Sequence, residues 1–126
     1  MSAFNELELA YLTGSGRRRL GRIATVGGDG TPHVTPTGWA YNPEHDTIDA
    51  GGNDVRRTKK YRDVKSTGKA AIVIDDVLPP WRPRAVEIRG RAEIIEGSRV
   101  RIRIYPDRIV SWGLDEALEQ RDDTVA

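Results

Sequence analysis

Residues 86–94 alternate without a break: Val86, Ile88, Gly90, Ala92 and Ile94 take one parity, and Glu87, Arg89, Arg91 and Glu93 take the other. Successive side chains of a strand point to opposite faces, so this stretch can bury its apolar set only as a strand with one wet face. The pattern returns where Val100, Ile102 and Ile104 alternate with Arg99, Arg101, Arg103 and Tyr105. Ile and Val together number twenty against seven Leu, and β-branched side chains pack better on a pleated sheet than in a helix. A mainly β chain follows. Its 126 residues can bury one core but not two, so residues 1–126 read as a single domain, with the core over about 7–114 and an acidic tail over 115–126.

The rest of the chain fits the same architecture. Residues 4–12 set Phe4, Leu7 and either Leu9 or Tyr11 at helical spacing, predicting a short N-terminal helix that Thr13-Gly14-Ser15-Gly16 ends. A strand over residues 20–26 meets the turn Gly27-Gly28-Asp29-Gly30, and a second extended stretch covers residues 31–41. Pro32 and Pro36 lie in that stretch; without an N–H to give a ladder they suit an edge or a bulge. A short strand at 47–50 follows, then Gly51-Gly52, and Asn53 or Asp54 can cap a helix that runs to about Thr67 and stops at Gly68. Residues 69–74 read as a central strand buried on both faces, residues 77–83 as a stiff proline loop, and residues 109–112 as the closing strand. Six or more short strands with one internal helix describe a small closed or nearly closed barrel, in which no long apolar edge stays exposed.

Composition removes several functions. No Cys is present, which excludes a disulfide framework, a thiol nucleophile and a thiolate metal site, and fits a cytoplasmic protein. No apolar run approaches the roughly 20 residues that span a bilayer. Glu6 and Glu8 stand where a signal peptide would be basic. The net charge of +1 argues against coating nucleic acid by bulk charge. That charge is uneven: residues 56–69 hold seven basic side chains against one acidic, and residues 115–123 hold five acidic against one basic.

The basic run follows a glycine pair in Gly51-Gly52-Asn53-Asp54-Val55-Arg56-Arg57-Thr58-Lys59-Lys60-Tyr61-Arg62. Bare glycine backbone lets an anion approach, and a helix start presents unpaired N–H groups and the positive end of its dipole. Cations crowded there repel the dipole and one another, a cost that a bound phosphate would offset. On residue types alone, a solvated basic helix face is the simpler reading. His33, in a strand, and His45, in a turn, lack the partners of a metal site or a triad. No catalytic set stands alone, and no metal site is expected. A cofactor enzyme needs few catalytic side chains, because the cofactor carries the hard step. Trp39, Trp81 and Trp112 accompany a single Phe, an aromatic choice that suits ligand or subunit contacts as well as packing.

Three segments, in order, carry a resemblance. They are Arg22-Ile23-Ala24-Thr25-Val26 with Asp29-Gly30-Thr31-Pro32-His33-Val34-Thr35-Pro36; Thr58-Lys59-Lys60-Tyr61-Arg62-Asp63; and residues 104–114, with Ile109-Val110-Ser111-Trp112-Gly113. They resemble the opening hairpin, phosphate-binding segment and closing strand of the split-barrel flavin and deazaflavin oxidoreductases. That superfamily includes pyridoxamine 5′-phosphate oxidase, and the similarity is strongest to its actinobacterial branch dependent on coenzyme F420. The resemblance implies a six- to seven-stranded antiparallel split β-barrel (the FMN-binding split barrel) with a short N-terminal helix and one internal helix. It implies a homodimer with cofactor at the subunit interface. Thr58, Lys59 and Lys60 would hold the cofactor phosphate, Arg57 would also bind the cofactor, Thr35, Pro36, Thr37 and Gly38 would run beside the ring, and Trp112 would approach from the partner subunit.

Asp63 stands where some relatives have an Asn that assists binding. The basic strand residues and the C-terminal Arg and His clamp of the pyridoxamine oxidases have no counterpart here, which sets that substrate aside. Arg56, Arg57 and Arg62 suit a cofactor with a polyanionic glutamate tail. The implied activity is hydride transfer from reduced F420 to a small unsaturated organic acceptor, with a proton from solvent or from Tyr41 or Tyr61. The alternatives are an FMN-binding reductase or oxidase of the same fold and a non-catalytic cofactor-binding protein. A single-stranded nucleic-acid barrel ranks last, because basic and aromatic residues do not interleave on one strand face.

Overall fold

The longest strand, β5 (Arg82–Ile95), organises the barrel. In the computed structural model, which describes residues 1–14 and 19–115, β5 pairs antiparallel along residues 82–91 with β4 (Lys69–Leu78) and along residues 92–95 with β6 (Arg101–Ile104). Its other edge, residues 85–89, carries β7 (Arg108–Trp112). The remaining strands are β1 (Gly21–Val26), β2 (Pro32–Asn42) and β3 (Thr47–Gly51). Six strands in the order β4-β1-β2-β3-β6-β5 close on themselves through the β4–β5 pairing, and β7 is an extra strand outside the closure. The helices are α1 (Glu6–Thr13) and α2 (Lys59–Thr67), the second preceded by a 3-10 turn, Val55–Arg57.

The alternation seen in the sequence is the burial pattern. Ile23, Ile48, Ile72, Ile74, Val86, Ile88, Ile102 and Ile104 fill the barrel. Gly90 belongs to the apolar parity for a steric reason: a Cβ there would lie 1.8 Å from the Tyr105 carbonyl oxygen. That close approach lets the Tyr105 amide donate to Arg91 O (2.8 Å) and the Asp107 amide to Arg89 O (2.9 Å). Two ion pairs are buried beside this core. Arg84 donates twice to Asp76 (2.6 and 2.9 Å), which also accepts from the Tyr11 hydroxyl at 2.9 Å and so ties α1 to the β4–β5 hairpin. Arg103 donates twice to Asp49, both at 3.1 Å.

Several boundaries differ from expectation. The first helix starts at Glu6, because Asn5 and Glu8 form a reciprocal capping box; Phe4 precedes it and packs edge-on against Tyr41 at 5.6 Å, while Leu7 faces out. The internal helix is capped by Thr58 and not by Asn53 or Asp54; Asp54 takes φ +51° at the entry to the 3-10 turn. The helix stop at Gly68, φ +68°, stands as read. β4 alternates instead of burying both faces, with Ala70, Ile72 and Ile74 inside and Ala71 and Val73 half-buried. The proline loop is a tight hairpin turn, since pairing continues to Leu78↔Arg82 and leaves only residues 79–81 to turn.

The prolines of β2 sit where its pairing is one-sided. Residues 32–37 pair with β1 and residues 38–42 with β3. Part of the expected first-helix stop, Ser15-Gly16, and the acidic tail from residue 116 onward lie outside the described residues. Among the described residues, no helix is long and apolar enough to cross a membrane.

Candidate functional site

β2 switches partner from β1 to β3 beside the glycine pair. Gly38 pairs with Gly51 at the last rung of the β2–β3 ladder, and the buried Thr37 hydroxyl donates to Gly51 O at 2.7 Å. A Cβ on Gly38 or Gly52 would meet nothing within 4 Å, so this row is bare backbone. From Gly52, φ +143°, the chain passes through the 3-10 turn into α2. There the Thr58 hydroxyl accepts from the Tyr61 amide (3.3 Å) and donates to Val55 O (2.6 Å). Thr58 is therefore the N-cap.

The basic run is not uniformly solvated. Arg56 pairs with Glu96, Lys59 pairs with Asp63 one turn along the helix, Arg62 reaches Arg57 O at 3.4 Å, and the Lys65 ammonium lies 5.8 Å over the Tyr61 ring. Lys60 differs. It is only 8% exposed, no carboxylate among the described residues pairs with it, and burial alone holds its amine below the usual lysine range. A largely buried lysine that meets no carboxylate is partly desolvated at its charged end, and an anionic ligand would offset that cost. Arg57 is exposed, and its side chain has no partner among the described residues.

Lys59, unlike Lys60, meets a carboxylate. Its hydrogen bond, with that of the Thr25 hydroxyl (2.8 Å), holds the buried Asp63 carboxyl below its ordinary pKa. A Cβ at Gly27 would sit 3.0 Å from Lys59 Nζ and 3.1 Å from Asp63 Oδ1, so that glycine lets α2 seat on the β1–β2 turn. His33 faces Thr25 across the ladder, and its Nδ1 is buried without a hydrogen-bond partner. Thr35 and Thr37 follow His33 on the same face, at period two. The structure thus brings residues 37 and 38 to Gly51, the first glycine of the pair from which the chain runs on to α2.

Trp112 is not brought to that place within one chain. It pairs with Ala85 on β7 and is 49% exposed. The order β7-β5-β4-β1-β2 puts four strand spacings between it and residues 35–38, roughly 19 Å along the sheet. Of the two tyrosines, Tyr41 donates its hydroxyl proton to Asp46 at 2.6 Å, and that bond raises its pKa. Tyr61 is half-buried on α2. Among the described residues, no three His, Asp or Glu side chains converge as a metal site would require.

The outer face of β1, β4, β5 and β7 carries an open groove of about 720 Å³, floored by Ala24, Ala71 and Gly90 and rimmed by Lys69, Arg89 and Arg108. Ala24, Ala71, Arg89 and Arg108 form one row across the four strands. Val34, next to Ala24 on β2, is 66% exposed, and Leu20 is exposed nearby in sequence. A further residue escaped sequence reading. Arg101, an outward member of an alternating run, lies with its Cγ 4.0 Å from where a Gly51 Cβ would be. Only the β3–β6 register, a long-range contact, reveals that proximity.

A six-stranded closed barrel with a basic, glycine-flanked helix start defines a class, and the family comparison agrees: residues 10–125 match the model of the pyridoxamine 5′-phosphate oxidase family, to which this chain belongs. Within it, the chain is similar to the 5a,11a-dehydrotetracycline/5a,11a-dehydrooxytetracycline reductase of Streptomyces rimosus subsp. rimosus, 39% identical over 123 residues that cover 89% of this chain and 84% of the relative. Two solved structures share the fold. A conserved hypothetical protein of Mycobacterium tuberculosis superposes with a TM-score of 0.71 at 22% identity, covering 92% of this chain and 89% of the other. An F420 reductase superposes with a TM-score of 0.61 at 22% identity, covering 80% and 94%.

Proposed function

We propose that this chain is a dimeric reductase that binds reduced coenzyme F420 and delivers its hydride to a small unsaturated organic acceptor. One observation carries the reading: Lys60, a side chain only 8% exposed and without a carboxylate partner among the described residues, stands in the first turn of α2, which the chain enters from the Gly51-Gly52 pair through the 3-10 turn. That is the chemistry of a phosphate seat. The curated relative's name as a reductase supports the reaction type, and the F420 reductase that shares the fold supports the choice of cofactor.

Lys60 supplies the charge, and the first amides of α2 supply neutral donors, while Thr58, whose hydroxyl is committed to Val55 O and the Tyr61 amide, fixes the helix start. Arg57 flanks them at the solvent side. Lys59 acts through Asp63 and Thr25, fixing α2 on the β1–β2 turn. Residues 35–38 offer a flat strand edge, with Pro36 and Gly38 outward, against which a planar ring lies without displacing side chains. When bound, the deazaflavin supplies the hydride; the protein orients it and excludes water. Trp112 completes the site from a second copy, joined through the apolar outer face with Val34, Ala24 and Ala71. A cytoplasmic setting belongs to the same proposal.

FMN is the second reading, because its single phosphate needs no more than the Lys60 seat. Parallel titrations with F420 and FMN, followed by fluorescence, separate the two, with sedimentation reporting the dimer. F420 binding at least tenfold tighter than FMN, on a dimer, is expected. A yellow preparation with FMN identified by mass supports the second reading, and no affinity for either cofactor overturns both.

A further inference from the structure

Most guanidinium groups of the barrel surface and core are committed to carboxylates: Arg84 to Asp76, Arg103 to Asp49, Arg89 to Glu87, Arg22 to Asp75 and Arg56 to Glu96. Arg101 is not. Its Nε is buried and has no hydrogen-bond partner, and no carboxylate among the described residues pairs with its side chain. A buried donor left without an acceptor is a cost that native proteins seldom carry unless a ligand removes it.

Its position names the ligand. The β3–β6 ladder runs through Asp49↔Arg103 and Ala50↔Ile102, and one further step sets Arg101 beside Gly51. Gly51 in turn pairs with Gly38 on β2. The row Gly38–Gly51–Arg101 is therefore two residues of open backbone ending in an unpaired guanidinium, on the outward face of the strands. Arg56, the cation across the neighbouring loop, is already neutralised by Glu96, whereas Arg101 at the end of the row keeps a buried Nε without an acceptor. Lys60 sits on the other side of the 3-10 turn that starts from the same glycines.

We infer that Arg101 forms a second anion subsite, distinct from the phosphate seat at Lys60, which reads a carboxylate carried by the bound cofactor beyond its phosphate. The fork of an arginine matches a carboxylate with two parallel hydrogen bonds and cannot be neutralised by losing a proton. The subsite makes the protein select for a tail-bearing cofactor over one that ends at a phosphate. This inference rests on the phosphate seat proposed above and deepens it.

The test holds the ring constant. Wild-type protein, Arg101→Gln, Arg101→Lys and Lys60→Met are each titrated with F420 and with the same deazaflavin bearing only a 5′-phosphate. Wild type is expected to bind F420 at least tenfold more tightly than the truncated compound. Arg101→Gln is expected to abolish that preference while changing affinity for the truncated compound less than threefold, and Arg101→Lys to keep part of it. Equal wild-type affinities for the two compounds overturn the inference even if Arg101→Gln fails to fold, and so does an Arg101→Gln protein that retains the preference. Lys60→Met reports on the underlying reading: it should weaken both compounds alike, and unchanged affinity for both would sink the phosphate seat instead.

Discussion

Replacing Lys60 with Met removes a charge and keeps a straight apolar stem of similar reach, so binding and stability should move in opposite directions. Lys60 is 8% exposed, without a carboxylate partner among the described residues. If its ammonium holds the cofactor phosphate, the lost charge-assisted hydrogen bond costs about 1.5–3 kcal/mol of binding, or roughly 10- to 150-fold in Kd. In the ligand-free protein the same change removes an unpaired, partly desolvated charge, and a gain of up to roughly 1 kcal/mol follows, at most about 3–5 °C in Tm. The pH dependence fixes the sign. Burial lowers the Lys60 pKa from the ordinary lysine value of 10.5, so between the two pKa values the unfolded chain binds the proton that the folded chain has released. Stability relative to the mutant therefore rises with pH through that window, and the penalty is fully present below it. Thermal melts of both ligand-free proteins from pH 7 to 11, with cofactor titrations at pH 7, measure all three quantities. A Lys60→Met protein that melts lower than wild type and binds cofactor equally well would show that Lys60 is a packing residue, and the reasoning would fail.

Asp76→Asn leaves the fully buried Arg84 without that carboxylate and should cost about 3 kcal/mol or more in denaturant unfolding. Burial would raise the Asp76 pKa, but Arg84, Tyr11 and Arg19 outweigh it and bring it down to about 2, against 3.8 unpaired. Its contribution is thus present above pH 4 and lost as pH falls toward 2; about 1–2 kcal/mol of acid-sensitive stability, discounted for solvent screening, should vanish in the mutant. Gly90→Ala would set a methyl carbon 1.8 Å from Tyr105 O, so the strand must shift; a loss of at least about 2 kcal/mol is expected by chemical denaturation, and an unchanged midpoint would contradict the packing described. Trp112→Ala, half-exposed on β7, should leave the melting of the monomeric barrel within about 0.5 kcal/mol yet weaken dimerisation by sedimentation and reduce fluorescence quenching on cofactor binding.

Local patterns were legible where local physics decides them. The alternation around Ile88, the Gly68 helix stop and the turn at residues 27–30 depend on neighbours in sequence, and the structure keeps them. The start of α2 was not legible in the same way. Asn53 and Asp54 are good caps, but Val55 is drawn into the core, a 3-10 turn intervenes, and Thr58 becomes the cap. Nor could sequence tell Lys59 from Lys60. Their difference arises because α2 seats with Asp63 against Thr25, which turns Lys59 toward that carboxylate and Lys60 inward. Arg101 was hidden for the same reason, since its neighbour Gly51 lies far off along the chain. Residues whose roles depend on strand register or helix seating carry no signal of their own.

A crystal structure of the chain with bound F420 confronts the whole account at once. The expected map has the phosphate within about 3 Å of Lys60 Nζ, the ring along residues 35–38, and the Trp112 of a second copy closing over it. A phosphate held elsewhere, with Lys60 still buried and untouched, would contradict it.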